Sequence, residues 1–309
     1  MHLLILASVF ANFAYSFFFN TKLFYLQFAL IGSYLLLHVI FRFKYRGLCS
    51  NKLSSTLWGE PTSPTRYYTL DVNTEKIDLF IKDFHIKHNF QITYTHFFMK
   101  LVATALTKNK NINGKNIFGK FIPSENVNIN TIIDIDGKYL TGAVVEDCQK
   151  KTILEIRNDI NSKVKKIKKN KDPEVKKQIN DSKKLFTFLI HLLLRLSITL
   201  SYYFSLDSKL MQLRKEFFGS IVITNVSKMN LYNTFSCLSY LAPVVMLVVI
   251  NKPKKKVVID ENMKIVTRSI AKLKISFDSR FDDEFALKSQ TLCKDILELA
   301  TNPVDIKLE

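Results

Sequence analysis

Residues 1 to 44 carry only three charged side chains, Lys22, Arg42 and Lys44. That scarcity constrains the chain more than any motif does. Residues 2–19 and 23–41 form two uncharged apolar runs, each close to the ~20 residues a helix needs to cross a bilayer core. Asn20-Thr21-Lys22 between them suits a tight reversal. A cleaved secretory signal is the competing reading of the first run, which lacks a basic leading segment and a small-residue cleavage site. Arg42, Lys44 and Arg46 follow the second run, so the positive-inside tendency puts the rest of the chain on a cytoplasmic or mitochondrial-matrix side. Gln27 and His38 interrupt the runs, and His38 sits close enough to the basic end for an interfacial position. The expected organisation is a membrane-anchoring helical hairpin over 1–46 and a body over 47–309.

The charge of +18 invites a polyanionic partner. The lysines are dispersed, however, with no aromatic-interleaved basic motif, so no nucleic-acid role is expected. Cys49, Cys148, Cys237 and Cys293 lie far apart without paired spacing, and read as reduced thiols rather than a disulfide framework or metal site.

From about residue 55, strand and helix patterns alternate. Arg66–Val72 reads as a strand, and Thr74–His85 as a helix with Thr74 as N-cap. Apolar positions 97, 98, 101, 102, 105 and 106 bury one face of a helix within 92–106. Val127–Gly137 and Leu140–Val145 give two strands, followed by a helix from Ile153. Ala242–Ile250 is a buried strand and Ile270–Phe277 the last one, with a closing helix over 284–300. The basic run 252–256 reads as a solvated hairpin tip, with contact to anionic lipid as the alternative. The apolar run Leu185–Leu206 is long enough to suggest a third span, but His191 and Arg195 lie inside it. If it crossed, strands on either side of it could not share one sheet, so a core or surface-lying helix is expected.

Several segments in order resemble the catalytic domain of the 2-oxoacid dehydrogenase acyltransferases and of chloramphenicol acetyltransferase. Thr95-His96 opens the long apolar helix, and Phe217–Val226 is similar to the family's Gly-x-Phe-Thr-Ile-Ser-Asn-Leu strand. Phe277-Asp278-Ser279-Arg280-Phe281-Asp282-Asp283-Glu284 resembles the family's Asp-His-Arg-x-x-Asp-Gly signature. The resemblance implies a two-layer α/β sandwich with a mixed sheet, assembled as trimers with the active site between subunits. It also implies coenzyme A as the substrate carrier if the chain is active. Thr224 then stands for the serine that hydrogen-bonds the tetrahedral oxyanion, and Asp283 for the signature's second acid.

Ser279 stands where the resemblance requires the histidine that takes the thiol proton, and Glu284 where it requires glycine. A serine hydroxyl does not accept a proton near neutral pH, and loss of a general base costs roughly 10²–10⁴ in rate. His85, His88, His96 and His191 are the other histidines outside the N-terminal runs, and Asp282 and Glu284 are carboxylates beside the site. The expectation is a membrane-anchored acyltransferase-like scaffold without the family's activity and with no cofactor, serving a homotrimer or larger membrane complex. The alternative is a coenzyme A-dependent enzyme with a carboxylate base.

Overall fold

The computed structural model describes residues 65–117, 120–135, 137, 139–169, 186–203, 218–238, 244–260, 262–278 and 285–303, with scattered residues between 13 and 36. The strands are β1 (Thr65–Asn73), β2 (Gly114–Ile117), β3 (Lys120–Pro123), β4 (Ile129–Ile135), β5 (Tyr139–Val145), β6 (Ile221–Asn225), β7 (Met246–Ile250), β8 (Lys254–Ile259) and β9 (Ile265–Asp278). The helices are α1 (Glu75–His88), α2 (Tyr94–Lys108), α3 (Ile153–Lys169), α4 (Thr187–Tyr203) and α5 (Phe285–Thr301). Seven strands form one mixed sheet in the order β1-β9-β7-β6-β4-β5, with β8 also paired to β9. The pairs β4–β6 and β6–β7 are parallel; the others are antiparallel.

Alternation along the strands separates two faces. Ile223, Val248, Ile275 and Phe277 point to a core shared with Phe97, Phe98 and Leu101 of α2, Ile77 of α1, Ile156 of α3 and Ile296 of α5. The opposite face carries Val222, Leu247 and Val249, covered by Leu238. The expected two-layer α/β arrangement is therefore present.

Differences from expectation are local. Thr74 stands at the N-cap of α1, but its hydroxyl donates to Ser269 O (3.2 Å) and meets Ser269 Oγ (3.0 Å); Asn73 Oδ1 takes the Glu75 amide instead. Lys254, Lys255 and Lys256 are not a hairpin tip but strand residues paired with Ile270, Ser269 and Arg268. β9 accordingly begins at Ile265 rather than Ile270. The β2–β3 hairpin had no signal strong enough to stand out from the polar run that ends α2.

Among the described residues no helix is long and apolar enough to cross a membrane. That includes α4, the helix of the Leu185–Leu206 run. Tyr202 near its end accepts from the Phe218 amide (2.6 Å) and donates to Gly219 O (3.3 Å). These two bonds tie α4 to the residues that lead into β6, on the same side as the sheet. Most of residues 2–41 lie outside the described set.

Gly219 shows why the entry to β6 admits no side chain. Its φ is +64°, and an added Cβ would sit 2.5 Å from Asn128 O. Gly219→Ala is expected to cost about 3 kcal/mol or more, combining left-handed strain with a backbone clash. A thermal melt indistinguishable from that of the parent protein would contradict this.

Candidate functional site

β6 delivers Thr224 to the face opposite the helices. Its register neighbours are Val249 on β7 and, on the next two strands, Lys274 on β9 and Thr69 on β1. Thr224 is half-buried, and its hydroxyl has no hydrogen-bond partner among the described residues. Around it the face is apolar, with Val222, Leu247 and Val249 buried and Phe218 and Val226 packed against them.

Asn225 fixes the end of β6. Its Nδ2 donates to Thr95 Oγ1 (3.1 Å), while its Oδ1 accepts from the Ser227 amide (3.0 Å) and hydroxyl (2.6 Å). Two segments singled out in the sequence, Thr95-His96 and the β6 strand, thus meet through Asn225. Sequence reasoning missed this residue, although a polar side chain ending an apolar strand was a signal for it.

Loop 227–238 folds over this face. Asn251, fully buried, accepts from the Thr234 amide (2.7 Å) and donates to Thr234 O (3.2 Å) and Lys272 O (3.1 Å). Ser276 donates to Ser236 O (2.6 Å). Beneath the loop, Lys274 donates to Thr69 Oγ1 (2.8 Å), with its ammonium 3.8 Å from the centre of the Phe235 ring. Burial lowers the Lys274 pKa, with the Lys272 charge adding to the effect.

His96 is a helix cap. Its Nδ1 accepts from the Thr93 amide (3.1 Å), closing a capping box with the Thr93 side chain. Burial, and secondarily the Arg157 charge, push its pKa down to about 4. A ring whose lone pair is committed to Thr93 does not serve as a replacement base. His85 and His88 belong to the last turn of α1.

Burial pushes the Cys148 and Cys293 thiols up to about 12, so neither is a ready thiolate. Cys237 is exposed, and no disulfide joins these three. Among the described residues no group of three or more His, Cys, Asp or Glu side chains could hold a metal.

Ser279, Asp283, Asp282 and Glu284 lie outside the described residues. Asp278, which opens the signature, is buried at the end of β9. Its amide donates to Val245 O (3.0 Å), and the Val245 amide donates to Ser220 O (3.1 Å), so Asp278 stands level with Ser220. Thr224 is four residues further along β6 and two strands away, which places it about 16 Å from Asp278 within one chain. The register does not bring the start of the signature to Thr224.

The family model for the 2-oxoacid dehydrogenase acyltransferase catalytic domain matches residues 52–178. No curated protein matches the chain. Among solved structures, a probable dihydrolipoamide acetyltransferase from Listeria monocytogenes is similar at 17% identity and a TM-score of 0.56. It covers 82% of this chain and 92% of its own. A truncated catalytic core of the 2-oxoacid dehydrogenase multienzyme complex from Thermoplasma acidophilum is similar at 16% identity and a TM-score of 0.55, over 82% and 92% of the two chains. The Azotobacter vinelandii dihydrolipoamide acetyltransferase, studied for the roles of a serine, a histidine and an asparagine in its catalytic mechanism, gives 13% identity and 0.54, over 82% and 87%. At these identities the structures establish the fold. By the matched residues 52–178 and by the fold of its body, the chain resembles the catalytic domain of the 2-oxoacid dehydrogenase acyltransferases.

Proposed function

We propose that this is a membrane-anchored acyltransferase-like scaffold that has lost the family's acyl transfer and serves as a structural or accessory subunit of a membrane complex. The observation that carries this reading is Ser279 at the position of the family's catalytic base. No described group replaces that base near Thr224: His96 is held as a helix cap, and Lys274 is bound to Thr69 under Phe235. The anchor is residues 2–41, and the body faces the cytoplasm or mitochondrial matrix. The ring of Phe24 lies 5.0 Å from that of Phe13 and 5.1 Å from that of Phe17, which supports a reversal between two helical pieces. In one continuous helix residues 13 and 24 would be about 16 Å apart. Tyr25 and Phe28 there are exposed, as lipid-facing side chains would be.

The separation of Thr224 from Asp278 supports a homotrimer or larger assembly. The family's site lies between subunits, where one copy's Thr224 meets another copy's signature with Asp283. A known relative in this fold is itself the core of a multienzyme complex.

The test is acetyl transfer from acetyl-coenzyme A to dihydrolipoamide by the full chain in detergent, alongside calorimetry with coenzyme A. The expected results are a rate equal to the protein-free blank and no binding heat. A rate above the blank that Thr224→Val abolishes would sink the scaffold reading. One observation favours that second reading, an enzyme with Asp282 or Glu284 as base: the Thr224 hydroxyl is uncommitted and half-buried, as an oxyanion donor needs to be.

A further inference from the structure

α4 has no polar face. Ile190, Leu194, Ser197, Ile198, Ser201 and Tyr202 recur at helical spacing and are buried. The opposite side carries Leu192 and Leu196, each 44% exposed, with half-buried Phe188, Leu189 and Leu200 beside them. Thr199 on that side donates its hydroxyl proton to Arg195 O (2.7 Å) rather than offering it to solvent. Arg195 is the one charged side chain of α4, and it stands with His191 on the flank between the two faces. A helix on a water-facing surface carries polar side chains on its outer half, whereas one that is apolar all round is covered on both sides.

Charge and position point to the cover. The sequence leading into α4 is strongly basic: residues 165–184 hold nine lysines against Asp172, Glu174 and Asp181. A lysine-rich segment running into an apolar helix suits anionic headgroups, with the apolar stripe at the boundary to the acyl chains. β1 begins at Thr65 opposite Asp278, which stands level with Ser220. The chain arriving from residues 2–41 therefore joins the sheet at the end where Tyr202 ties α4 to Gly219. The stripe lies on the far side of α4 from the buried face to which Tyr202 belongs. It is thus distinct from the Thr224 face that the trimer reading gives to another copy.

We infer that α4 lies along an anionic lipid surface, with Phe188, Leu192, Leu196 and Leu200 in the interfacial layer. The lysines of 165–184 contact lipid phosphates or carboxylates, and Arg195 and His191 stand at headgroup height. α4 is not long and apolar enough to cross, so it rests on the surface. This inference rests on the membrane-anchoring reading above. The sheet end that holds Ser220 and Asp278 is then the end nearest the bilayer.

The test uses the full chain reconstituted into vesicles, with Trp58→Phe to remove the single native tryptophan and Leu196→Trp as reporter on the stripe. The vesicles are phosphatidylcholine, alone or mixed with phosphatidylserine, each with and without brominated acyl chains. Flotation measures anchoring, and bromine quenching of the reporter measures contact of α4 with lipid. The expected result is quenching in the mixed vesicles that falls at high salt. Lys176→Gln, Lys177→Gln, Lys183→Gln and Lys184→Gln together should lower the ratio of docked to undocked reporter, by about fivefold per lysine, with flotation unchanged. Flotation with an unquenched reporter overturns the inference and leaves the anchor standing. Blue-shifted emission in that case means that protein, a second copy included, covers the stripe; red-shifted emission means that water does. Equal quenching in neutral and mixed vesicles overturns the anionic-lipid assignment. Failure to float sinks both readings.

Discussion

Phe277→Ala is expected to destabilise the body by about 3–5 kcal/mol. Phe277 is fully buried in β9, paired across the sheet with Met246 and Arg66. Its ring meets that of Tyr68 edge-on, with centroids 5.5 Å apart. Truncation would remove that contact and leave a void between β1, β7 and the helices, which a sheet paired on both sides of β9 cannot close. The side chain also directly precedes Asp278, so slack here would reach the residue that opens the acyltransferase-like signature. Chemical denaturation of parent and variant gives the comparison. A loss below about 1 kcal/mol would mean that the core collapses around the deletion, contrary to the packing described.

His96 should make the protein sensitive to mild acid. In the folded chain its pKa is about 4, against an ordinary value near 6.5. Between those values the unfolded chain binds the proton and the folded chain does not, so stability falls as pH drops through this window. Stability from the neutral ring is complete above pH ~6.5 and gone below pH ~4, a loss of about 3 kcal/mol. Carboxylates titrate in the same range, so the informative quantity is the difference between the parent and His96→Gln. A glutamine keeps an acceptor for the Thr93 amide but does not titrate. The parent should lose about 3 kcal/mol more than the variant on going from pH 7 to pH 4. Parallel stability curves would show that His96 protonates without unfolding the cap.

The sequence placed most of the elements because local physics fixes them. The apolar positions 97, 98, 101, 102, 105 and 106 are all buried in α2, as their helical spacing implies, but burial extends past that one face to His96, Met99, Lys100 and Ala103. The run Met246–Ile250 is buried at every position and sits at the centre of the sheet. The argument that α4 cannot cross a membrane also held, since it followed from the need for one sheet. Where the reading slipped, the deciding contacts were remote in sequence. Lys254–Lys256 looked like a solvated tip because three lysines lack apolar alternation, yet pairing with β9 draws them into a strand. Thr74 looked like an ordinary cap until Ser269, far along the chain, took its hydroxyl.

For the candidate site, the sequence alone determined which chemical groups are on hand: a threonine and a serine at the positions where the resemblance puts the oxyanion donor and the base, and two apolar runs at the N-terminus. Side-chain chemistry is fixed residue by residue, and no fold gives Ser279 an imidazole. Only the tertiary structure decided where those groups stand. Sheet register sets Thr224 about 16 Å from Asp278, and contacts between distant residues pin loop 227–238 through Asn251 and Ser276. Register and loop anchoring depend on pairings between distant strands, which composition and periodicity do not encode.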